Sequence, residues 1–500
     1  MIPLLLFSTM ERRKVPFTPI KSTAVGLYSC GPTVYDYAHL GNLRTYLFVD
    51  SLRRILEYRG LTINHAMNIT DVGHLTSDAD TGDDKLVIGA ARERKSAWEV
   101  AQFYTDAFML DLERLNIERP SVMPRATEFI PEQIALIEQL EQKGFTYRTS
   151  DGIYFDTAKL PDYGKLARLD RQQLAAGARV EVNPEKRHPQ DFALWKFSES
   201  RIQDPEFRGQ TSEFSEGAIA PSTIYHLPST GHRQMEWPSP WGKGFPGWHI
   251  ECSAMSVVAL GQPFDIHTGG IDHIAIHHTN EIAQTEAATG KTLANYWLHA
   301  EFLVVDSGRM GKSEGNLLRL ESVIERGIDP LAFRYLTLGT HYRHPLIFSW
   351  PALEAAANGL TNLREQIARL SVKSSEHPEG VEAIHPPGVP SDLEDQFLGT
   401  ISDDLNLPQA LALLHETLSA DRPDGEKLAA VAAWDKVFGL KLMDQRLVPL
   451  PPKISQQLAA YEAARRAKDF SASDQLRAEL TAAGYTVEDL ADGSSRLIPR

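Results

Sequence analysis

Cysteine is scarce in this chain of 500 residues, which contains only Cys30 and Cys252. Two cysteines cannot form the disulfide framework of a small secreted protein, so the sequence favours a reducing compartment. No run approaches the ~20 apolar residues that a membrane helix needs. The apolar start at residues 1–7 is too short for a signal peptide and is followed by charged residues. We therefore expect a cytoplasmic protein that makes no membrane contact.

An excess of positive charge is lacking as well. The chain has 51 Lys and Arg residues against 66 Asp and Glu residues, which gives a net charge of −15. This sum does not indicate a nucleic-acid-binding protein. It covers the whole chain, however, and phosphate contacts need only local clusters of positive charge. Candidate clusters are Arg465 and Arg466 with Lys468, and the segment His341-Tyr342-Arg343.

The length excludes a single hydrophobic core, because such cores stop growing at roughly 250–300 residues. Near the start, residues 23–29 have the pattern of a strand, 43–59 that of a helix and 61–69 that of a second strand. A strand, a helix and a strand in this order form a βαβ unit, which predicts a parallel sheet. Two further helices are predicted near residues 95–116 and 131–143.

The later part of the chain changes character twice. Asp151-Gly152 between β-rich runs predicts a hairpin over residues 146–155. Residues 197–240 have the composition of an irregular insertion, and residues 372–391 that of a linker. Helical patterns dominate after Asp329, and the final part, from residue 453, predicts two helices followed by short strands.

The first candidate site lies between the first strand and its helix, at His39, Gly41 and Asn42. A helix N-terminus that follows a parallel strand is suited to phosphate, because its N–H groups and dipole face the ligand. His39 and Asn42 are three residues apart and share one face of the opening turn. Gly41 would let a flat base approach the backbone. A helix cap with a surface histidine is the alternative.

The second candidate site is the segment 307–316, in which small residues surround Arg309 and Lys312. Such a composition suits a mobile loop that clamps a polyphosphate. The segment is not a Walker A loop, because the spacing of glycines before the lysine is absent. A solvated basic turn is the alternative.

The third candidate site combines Cys30 and Cys252 with His277 and Glu281. His277 and Glu281 are four residues apart and lie on one face of a predicted helix. Thiolate, imidazole and carboxylate are the ligands that zinc takes. Two unrelated buried thiols and a helix with surface His and Glu would explain the residues as well. The other histidines are expected to be packed or surface residues.

Taken together, these segments resemble the cysteinyl-tRNA synthetases, a family of class I aminoacyl-tRNA synthetases. His39–Asn42 is similar to the class signature HIGH, and Arg309–Ser313 is similar to the signature KMSKS. The resemblance specific for cysteine covers six further segments: Cys30–Asp36, Asn68–Asp71, Gly177–Val182, Asp191–Lys196, Gly247–Met255 and Asp265–Gly270. Asn42 replaces the last histidine of the first signature, and Arg309 and Gly311 replace the first lysine and the first serine of the second.

The resemblance implies an α/β fold. It consists of a Rossmann-like parallel-sheet catalytic domain with an insertion, an α-helical anticodon-binding bundle and a small mixed C-terminal domain. The implied ranges are 1–145 and 245–320 for the two halves of the catalytic domain, 146–244 for the insertion (connective peptide), 321–372 for the stem-contact region and the start of the bundle, 373–448 for the bundle, and 449–500 for the C-terminal domain. The segments 73–82 and 197–240 are longer than in most relatives, and their roles stay open.

The resemblance also implies a reaction. The chain would activate L-cysteine with ATP to cysteinyl adenylate and diphosphate, and then transfer the cysteinyl group to the 3′ end of tRNA(Cys) with release of AMP. One Zn²⁺ per chain would be held by Cys30, Cys252, His277 and Glu281. The cysteine pocket would add Thr33, Thr70, Trp248 and His267. ATP, with Mg²⁺, would contact His39, Gly41, Asn42, Arg309, Lys312 and Ser313, of which His39, Asn42 and Lys312 would be catalytic. The family is usually monomeric.

Three alternatives are kept. A ligase that joins cysteinyl adenylate to a small amine would lack the long part of the chain after Asp329. A methionyl synthetase usually holds zinc in cysteine-rich knuckles, which two cysteines cannot build. A non-enzymatic RNA-binding paralogue would have no need of His39, Asn42 and Lys312 beside a complete zinc set. Cysteine-dependent ATP–pyrophosphate exchange, followed by charging of a tRNA with anticodon GCA, would separate these cases.

Overall fold

The computed structural model describes residues 2–73, 95–168, 183–198, 235–305, 308–309, 318–376, 388–444, 452–489 and 495–499. Several predicted features therefore fall outside the described residues. They are Lys312 and Ser313, the segment 177–182, and most of the predicted linker and of the two long segments at 73–82 and 197–240. Within the part of the chain that the structure describes, no helix has the length and apolar character needed to cross a membrane.

The described strands and helices are numbered in chain order. The strands are β1 Leu5–Ser8, β2 Arg13–Pro16, β3 Ala24–Ser29, β4 Thr62–Met67, β5 Thr146–Arg148, β6 Gly152–Phe155, β7 Phe192–Phe197, β8 Gly244–Pro246, β9 Phe264–Gly270, β10 Ala294–Ala300, β11 Leu303–Val305, β12 Gly308–Arg309, β13 Leu346–Phe348, β14 Tyr485–Asp489 and β15 Ser495–Pro499. The α-helices are α1 Leu40–Tyr58, α2 Ala97–Arg114, α3 Ile130–Gln142, α4 Trp248–Leu260, α5 His277–Thr289, α6 Leu320–Ile324, α7 Pro330–Leu338, α8 Trp350–Glu376, α9 Ser391–Ser402, α10 Leu407–Ser419, α11 Asp424–Phe438, α12 Pro452–Arg466 and α13 Phe470–Ala482.

A four-stranded parallel sheet with the order β10–β9–β3–β4 positions the candidate site. Helix α1 connects β3 to β4, so the predicted βαβ unit and its parallel pairing are confirmed. Val25, Leu27 and Tyr28 of β3 are completely buried, as expected for an inner strand covered on both faces. Helix α5 connects β9 to β10 in a second parallel unit.

Helix α1 begins three residues earlier than the hydrophobic pattern predicts. His39 is its N-cap, and the side chain of His39 accepts a hydrogen bond from the backbone N–H of Asn42. The side chain of Asn42 accepts one from the backbone N–H of His39 in return. This reciprocal cap satisfies two N–H groups that would otherwise lack partners, so the helix can start at Leu40. The predicted end holds, because the helix ends at Tyr58 and Gly60 follows with a φ of 84°.

An antiparallel sheet with the order β5–β6–β7–β8 follows the first half of the parallel sheet in the chain. The predicted hairpin over residues 146–155 is confirmed as β5 and β6. Gly152, expected in the turn, is the first residue of β6. A Cβ at this position would lie 2.4 Å from the backbone oxygen of Trp195, so the close approach of β7 requires glycine here.

The chain divides into two compact units: unit one, Met1–Leu363 with Ala383–Leu440, and unit two, Arg364–Glu382 with Lys441–Arg500. Unit one contains both four-stranded sheets and helices α9–α11. Within it, Asp50 of α1 binds Arg334 of α7, and Arg334 in turn donates to the carbonyl of Phe438 at the end of α11.

Unit two contains helices α12 and α13 and the hairpin β14–β15. Its small core is built from Ile454, Tyr461, Leu480 and Val487. The helix pair and the short strands predicted for the end of the chain are therefore confirmed.

Candidate metal centre and active site

The candidate site lies at the carboxyl ends of the parallel strands, the edge at which open α/β sheets bind ligands. Cys30 directly follows β3, Thr70 follows β4, and Asp272 and His273 follow β9. These residues line a cavity of about 330 Å³. The predicted site residues Thr33, His39, Asn42, Trp248, Cys252 and His277 line the same cavity. The sheet topology thus gathers residues that are more than 240 positions apart in the chain.

Four buried side chains bring possible metal ligands together at the closed end of this cavity. Cys30 follows β3, Cys252 lies on α4, and His277 and Glu281 lie one turn apart on α5. The four donor atoms all lie within 4.8 Å of one another, and no side chain among them is more than 7% exposed. His277 Nε2 lies 3.0 Å from Glu281 Oε1, and Cys30 Sγ lies 3.8 Å from the same oxygen.

This donor set fits a tetrahedral zinc ion. Zinc bonds of about 2.0–2.3 Å place neighbouring donors roughly 3.3–3.8 Å apart, close to the separations observed here. Cys30 and Glu281 also lie within reach of His267 and His278, which gives a second group of four donors. The first group suits zinc better because it supplies two thiolates. It also reaches the cavity wall through Cys30, Cys252 and His277.

Histidines hold three of the four donors in place. His249 Nδ1 lies 3.0 Å from His277 Nδ1, and His267 Nε2 lies 2.8 Å from Glu281 Oε2. His278 Nε2 lies 3.3 Å from Cys30 Sγ. Partners of this kind fix the orientation of metal ligands. All three histidines are buried, and the sequence patterns gave no sign that they meet at one place.

Hydrogen bonds continue from this cluster to the first strand. His278 Nδ1 lies 2.7 Å from His299 Nε2, and His299 Nδ1 lies 2.7 Å from Thr9 Oγ1. The orientation of Cys30 is thus connected to a side chain that directly follows β1. The segment of α5 that carries His277 and Glu281 is therefore fixed on the side of β10 as well as on the side of the cavity.

The surroundings favour the ionised forms of Cys252, His277 and Glu281 and the neutral form of Cys30. The hydrogen bond from the Cys30 thiol lowers the pKa of Cys252 to about 7 despite burial, and His277 assists. Burial and the neighbouring Cys252 raise the pKa of Cys30. Cys30 therefore keeps its proton more readily than Cys252 does. Burial disfavours the imidazolium of His277, but Glu281 and Cys252 raise its pKa to about 10. Burial opposes the charge on Glu281 as well, yet His267 and His277 lower its pKa. Binding of a metal ion would release the protons of Cys30 and His277.

The residues predicted for the cysteine pocket surround the metal donors. Thr33 and Thr70 form a parallel backbone bridge, and both line the cavity. The ring of Trp248 lies 4.7 Å from that of His277, centroid to centroid. His267 lies behind Glu281, to which it is hydrogen-bonded, and is completely buried.

Asn68 is a site residue that reasoning from single residue types missed. Its side-chain oxygen accepts a hydrogen bond of 2.8 Å from the N–H of Gly31, next to Cys30. Its amide nitrogen donates one of 2.9 Å to Thr70 Oγ1. Asn68 thus fixes both the loop that carries Cys30 and the hydroxyl of Thr70. The only indication of Asn68 in the sequence was the motif Asn68–Asp71, which entered as part of the family resemblance.

The predicted phosphate site lies at the start of α1. Since the Nδ1 atom of His39 accepts the N–H of Asn42, Nε2 carries the proton of the neutral ring and can donate to an oxygen. A Cβ on Gly41 would lie 2.9 Å from the His39 ring, so glycine makes room for that ring. The helix-cap alternative and the phosphate hypothesis are therefore compatible. Nδ1 of His39 caps the helix, and Nε2 stays available to donate to a phosphate oxygen.

Of the second predicted loop, the structure describes the backbone of Arg309, in β12, which pairs with β11. Lys312 and Ser313 lie outside the described residues. Arg319, just after this loop, was not singled out from the sequence. Its backbone forms a bridge with that of His39, and its guanidinium lies 4.6 Å from the centroid of the Tyr37 ring.

The fold resembles solved synthetase structures of low sequence identity. Methionyl-tRNA synthetase of Mycobacterium tuberculosis, in complex with methionyl-adenylate, has a TM-score of 0.54 at 14% identity, covering 88% of this chain and 94% of that one. The leucyl enzyme of Agrobacterium radiobacter K84, in a ternary complex with tRNA, has a TM-score of 0.55 at 11% identity, with 85% and 84% covered. Residues 16–215 and 227–358 match the family model of the catalytic domain of class I (C) tRNA synthetases. Fold and site thus define a class I aminoacyl-tRNA synthetase.

The remaining comparisons identify the family within that class. Residues 448–493 match the model of the cysteinyl-tRNA ligase anticodon binding domain. Cysteine–tRNA ligase 1 of Burkholderia lata is 47% identical over 495 residues, which cover 98% of this chain and 96% of the relative. The cysteine–tRNA ligase of Treponema denticola is 42% identical, with 98% of both chains covered. The chain belongs to the cysteinyl-tRNA synthetase family.

Proposed function

We propose that the chain is a cysteine–tRNA ligase that activates L-cysteine with ATP and transfers it to the 3′ end of tRNA(Cys). The observation that carries the proposal is the buried set of Cys30, Cys252, His277 and Glu281 at the end of a cavity whose opening lies beside the start of α1. A metal-binding end and a phosphate-binding helix start in one cavity suit an amino acid with a thiol on one side and ATP on the other. We further propose that the chain acts as a monomer.

Zinc, held by Cys30, Cys252, His277 and Glu281, would bind the substrate as a thiolate and so select cysteine. Shape alone would select poorly, since small differences between side chains are worth only ~1–3 kcal/mol. A thiol has a pKa near 8.5 and ionises readily, whereas the hydroxyl of serine is far less acidic. Cys30, Cys252 and His277 face the cavity, so the sulfur of a bound cysteine can reach them. Thr70, fixed by Asn68, and Trp248 would orient the rest of the amino acid.

Activation requires that the cysteine carboxylate attack the α-phosphate of ATP, a step that depends on positioning and charge neutralisation. His39, through Nε2, and the side-chain amide of Asn42 would hold phosphate oxygens from one side. Lys312, with Arg309, would stabilise the charge that develops on the phosphate. Gly41 would let the adenosine approach the helix backbone, Ser313 would contact ATP from the second loop, and Mg²⁺ would enter with ATP as part of the substrate.

We propose that unit two binds the anticodon, in place of the bundle at 373–448 that the resemblance implied, because residues 448–493 match the model of the anticodon binding domain. Phe470, at the start of α13, is 66% exposed, and the neighbouring Arg466 and Lys468 are exposed as well. An aromatic ring beside positive charge suits an unpaired base with its phosphates. Arg465, a member of the predicted cluster, forms an ion pair with Asp489 within the same unit.

The second predicted cluster of positive charge, His341-Tyr342-Arg343, makes contacts within unit one. Tyr342 Oη donates to Asp404 Oδ1 at 2.7 Å, and Arg343 Nε binds Asp404 Oδ2 at 2.7 Å. His341 Nε2 lies 2.9 Å from the carbonyl oxygen of Asp404. These contacts support a structural role for residues 341–343, so Arg466 and Lys468 are the stronger candidates for tRNA contact.

The replacement Cys252→Ser tests the function and the metal site together. We expect the zinc content to fall from about one per chain to near zero, because a serine hydroxyl is a poor zinc ligand at neutral pH. Cysteine-dependent ATP–pyrophosphate exchange should be lost in parallel. The wild-type chain should charge a tRNA with anticodon GCA. Zinc content and exchange would be measured on the same preparations.

Val258→Ser is the matched control, because Val258 lies on the same helix with its side chain more than half exposed. This variant should keep both zinc and exchange activity. A Cys252→Ser variant with full zinc and full exchange would contradict the ligand assignment. A wild-type chain that exchanges pyrophosphate but charges no tRNA would contradict the second half of the proposed reaction.

A further inference from the structure

Exposed aromatic and basic side chains meet at the opening of the active-site cavity. Phe103 of α2 is 41% exposed, and its ring centroid lies 6.0 Å from that of Tyr37, which lines the cavity. Tyr104, buried beneath them, lies 5.0 Å from Tyr37 and 5.1 Å from Phe103. The buried ring supports the two outer rings and holds them at fixed positions.

Two cations lie over the faces of these rings. Lys95 Nζ lies 4.3 Å from the centroid of the Phe103 ring, and the Arg319 guanidinium lies 4.6 Å from that of Tyr37. The backbones of Arg319 and His39 are joined by a bridge, so this cation is adjacent to the first signature. We call Tyr37, Phe103, Lys95 and Arg319 the mouth platform.

The position of the mouth platform restricts what it could bind. It continues from the cavity wall at Tyr37 to the exposed surface at Phe103, whereas the metal donors lie at the buried end. Any group that reacts with the cysteinyl adenylate must enter the cavity through this opening and so pass close to the residues at its edge. In the proposed function that group is the single-stranded 3′ end of a tRNA, which carries unpaired bases and a phosphate at every nucleotide.

We propose that the mouth platform binds the single-stranded 3′ end of tRNA, with Phe103 as the stacking surface for one base. The proposal rests on the proposed function and deepens it by assigning the residues that guide the acceptor end. Aromatic rings bind unpaired bases of any sequence by stacking, and Lys or Arg residues beside them bind the phosphates. Lys95 and Arg319, which lie over the two rings, supply that charge, and the flexible side chain of Lys95 would turn from the face of Phe103 to the phosphate when the base stacks. Phe103 is a positioning residue in this scheme, because it acts on the acceptor and does not touch the reacting atoms.

An exposed phenylalanine is not unusual by itself. Helix α2 provides the comparison, because Leu110 is 45% exposed on the same helix and lies two turns from Phe103. The difference between the two residues is the ring contact of Phe103 with a residue of the cavity wall. A second occupant of the platform could be the adenine of ATP, and the test separates it from the tRNA end.

The test compares Phe103→Ala, Phe103→Trp and Leu110→Ala in the full chain. Two reactions are measured, cysteine-dependent ATP–pyrophosphate exchange and charging of a transcript of tRNA with anticodon GCA. For Phe103→Ala we expect exchange at the wild-type rate and a fall in kcat/KM for tRNA of roughly 5- to 150-fold, the range that one base–aromatic stack supports. Phe103→Trp should restore charging, and Leu110→Ala should leave both reactions unchanged.

Lys95→Gln gives an independent measure. Loss of one phosphate contact should raise the KM for tRNA and make charging less sensitive to salt, with exchange unaffected. Equal charging by Phe103→Ala and the wild type would overturn the proposal. A rise in the KM for ATP in the exchange reaction would overturn it in favour of the adenine. A wild-type chain that charges no tRNA at all would instead contradict the proposed function.

Discussion

Replacement of Asp50 by alanine is expected to destabilise unit one strongly, because Asp50 links three parts of that unit. Asp50 Oδ2 accepts a hydrogen bond of 2.6 Å from Arg334 Nη2 and one of 2.7 Å from Arg54 Nε. Asp50 Oδ1 accepts one of 2.8 Å from the backbone N–H of Glu118. Arg334 is almost completely buried, and it also donates to the carbonyl of Phe438.

The magnitude follows from what remains after the replacement. The Asp50→Ala variant would leave two guanidinium groups in the interior without their shared carboxylate. Breaking a buried ion pair by removing one partner costs about 3–5 kcal/mol. Backbone carbonyls still accept from Arg334 and Arg54, so the loss should lie within this range and not above it. A loss of this size is a large part of the 5–15 kcal/mol that is typical of folded proteins.

The assay is equilibrium unfolding in urea, followed by tryptophan fluorescence. All eight tryptophans of the chain lie in unit one, so the signal reports on the unit that contains Asp50. The control is Asp403→Ala, which removes a half-exposed ion pair with Lys14 in the same unit. Surface pairs of this kind contribute ~0–1 kcal/mol, so the control should unfold almost like the wild type.

The same unfolding experiment, repeated at several pH values, tests the prediction a second time. Burial alone would raise the pKa of Asp50, but Arg334 and Arg54 lower it below its usual value. A lowered pKa in the folded state means that the stabilisation is complete above the unfolded pKa of ~3.9 and is lost as the pH falls towards the folded pKa. The difference between Asp50→Ala and the wild type should therefore shrink below pH ~4. A difference under ~1 kcal/mol at pH 7, or one that does not change with pH, would refute the reasoning.

Two further replacements test other parts of the chain. Gly31→Ala would place a Cβ 1.7 Å from the backbone oxygen of Asn68, so the loop that carries Cys30 must shift. We expect a loss of about 1–3 kcal/mol in thermal unfolding together with weakened zinc retention, and an unchanged variant would contradict the close approach. Phe470→Ala should raise the KM for tRNA in charging while pyrophosphate exchange stays at the wild-type rate. A defect in exchange would show that the residue acts on the catalytic domain and not on the anticodon.

Local patterns were sufficient to predict much of the fold. The βαβ unit from Ala24 to Met67, the hairpin at Thr146–Phe155 and the helix pair with strands at the end of the chain each depend on residues close in sequence. The spacing of hydrophobic residues, the turn residues and the glycine that follows α1 are sufficient to predict such elements. The start of α1 was missed by three residues because it depends on side-chain hydrogen bonds of His39 and Asn42, which hydrophobicity does not report.

The site was less accessible from residue patterns. His277 and Glu281 could be placed on one helix face, but Cys30 meets His278 only because β3 pairs with β9, across 248 positions of sequence. From residue types alone, a zinc site and two unrelated buried thiols explained the sequence equally well. The family resemblance favoured the zinc site. The supporting roles of His249 and His267 depend on packing of α4, α5 and β9, which no local pattern encodes.

The reciprocal cap at the start of α1 has a consequence for inactivation. The N–H groups in the first turn of a helix have no partners within the helix, so the order of that turn depends on caps of this kind. In this protein the hydrogen bonds that close that turn also orient the His39 ring that faces the cavity. Loss of this cap would therefore disorder the proposed phosphate site while both sheets stay folded.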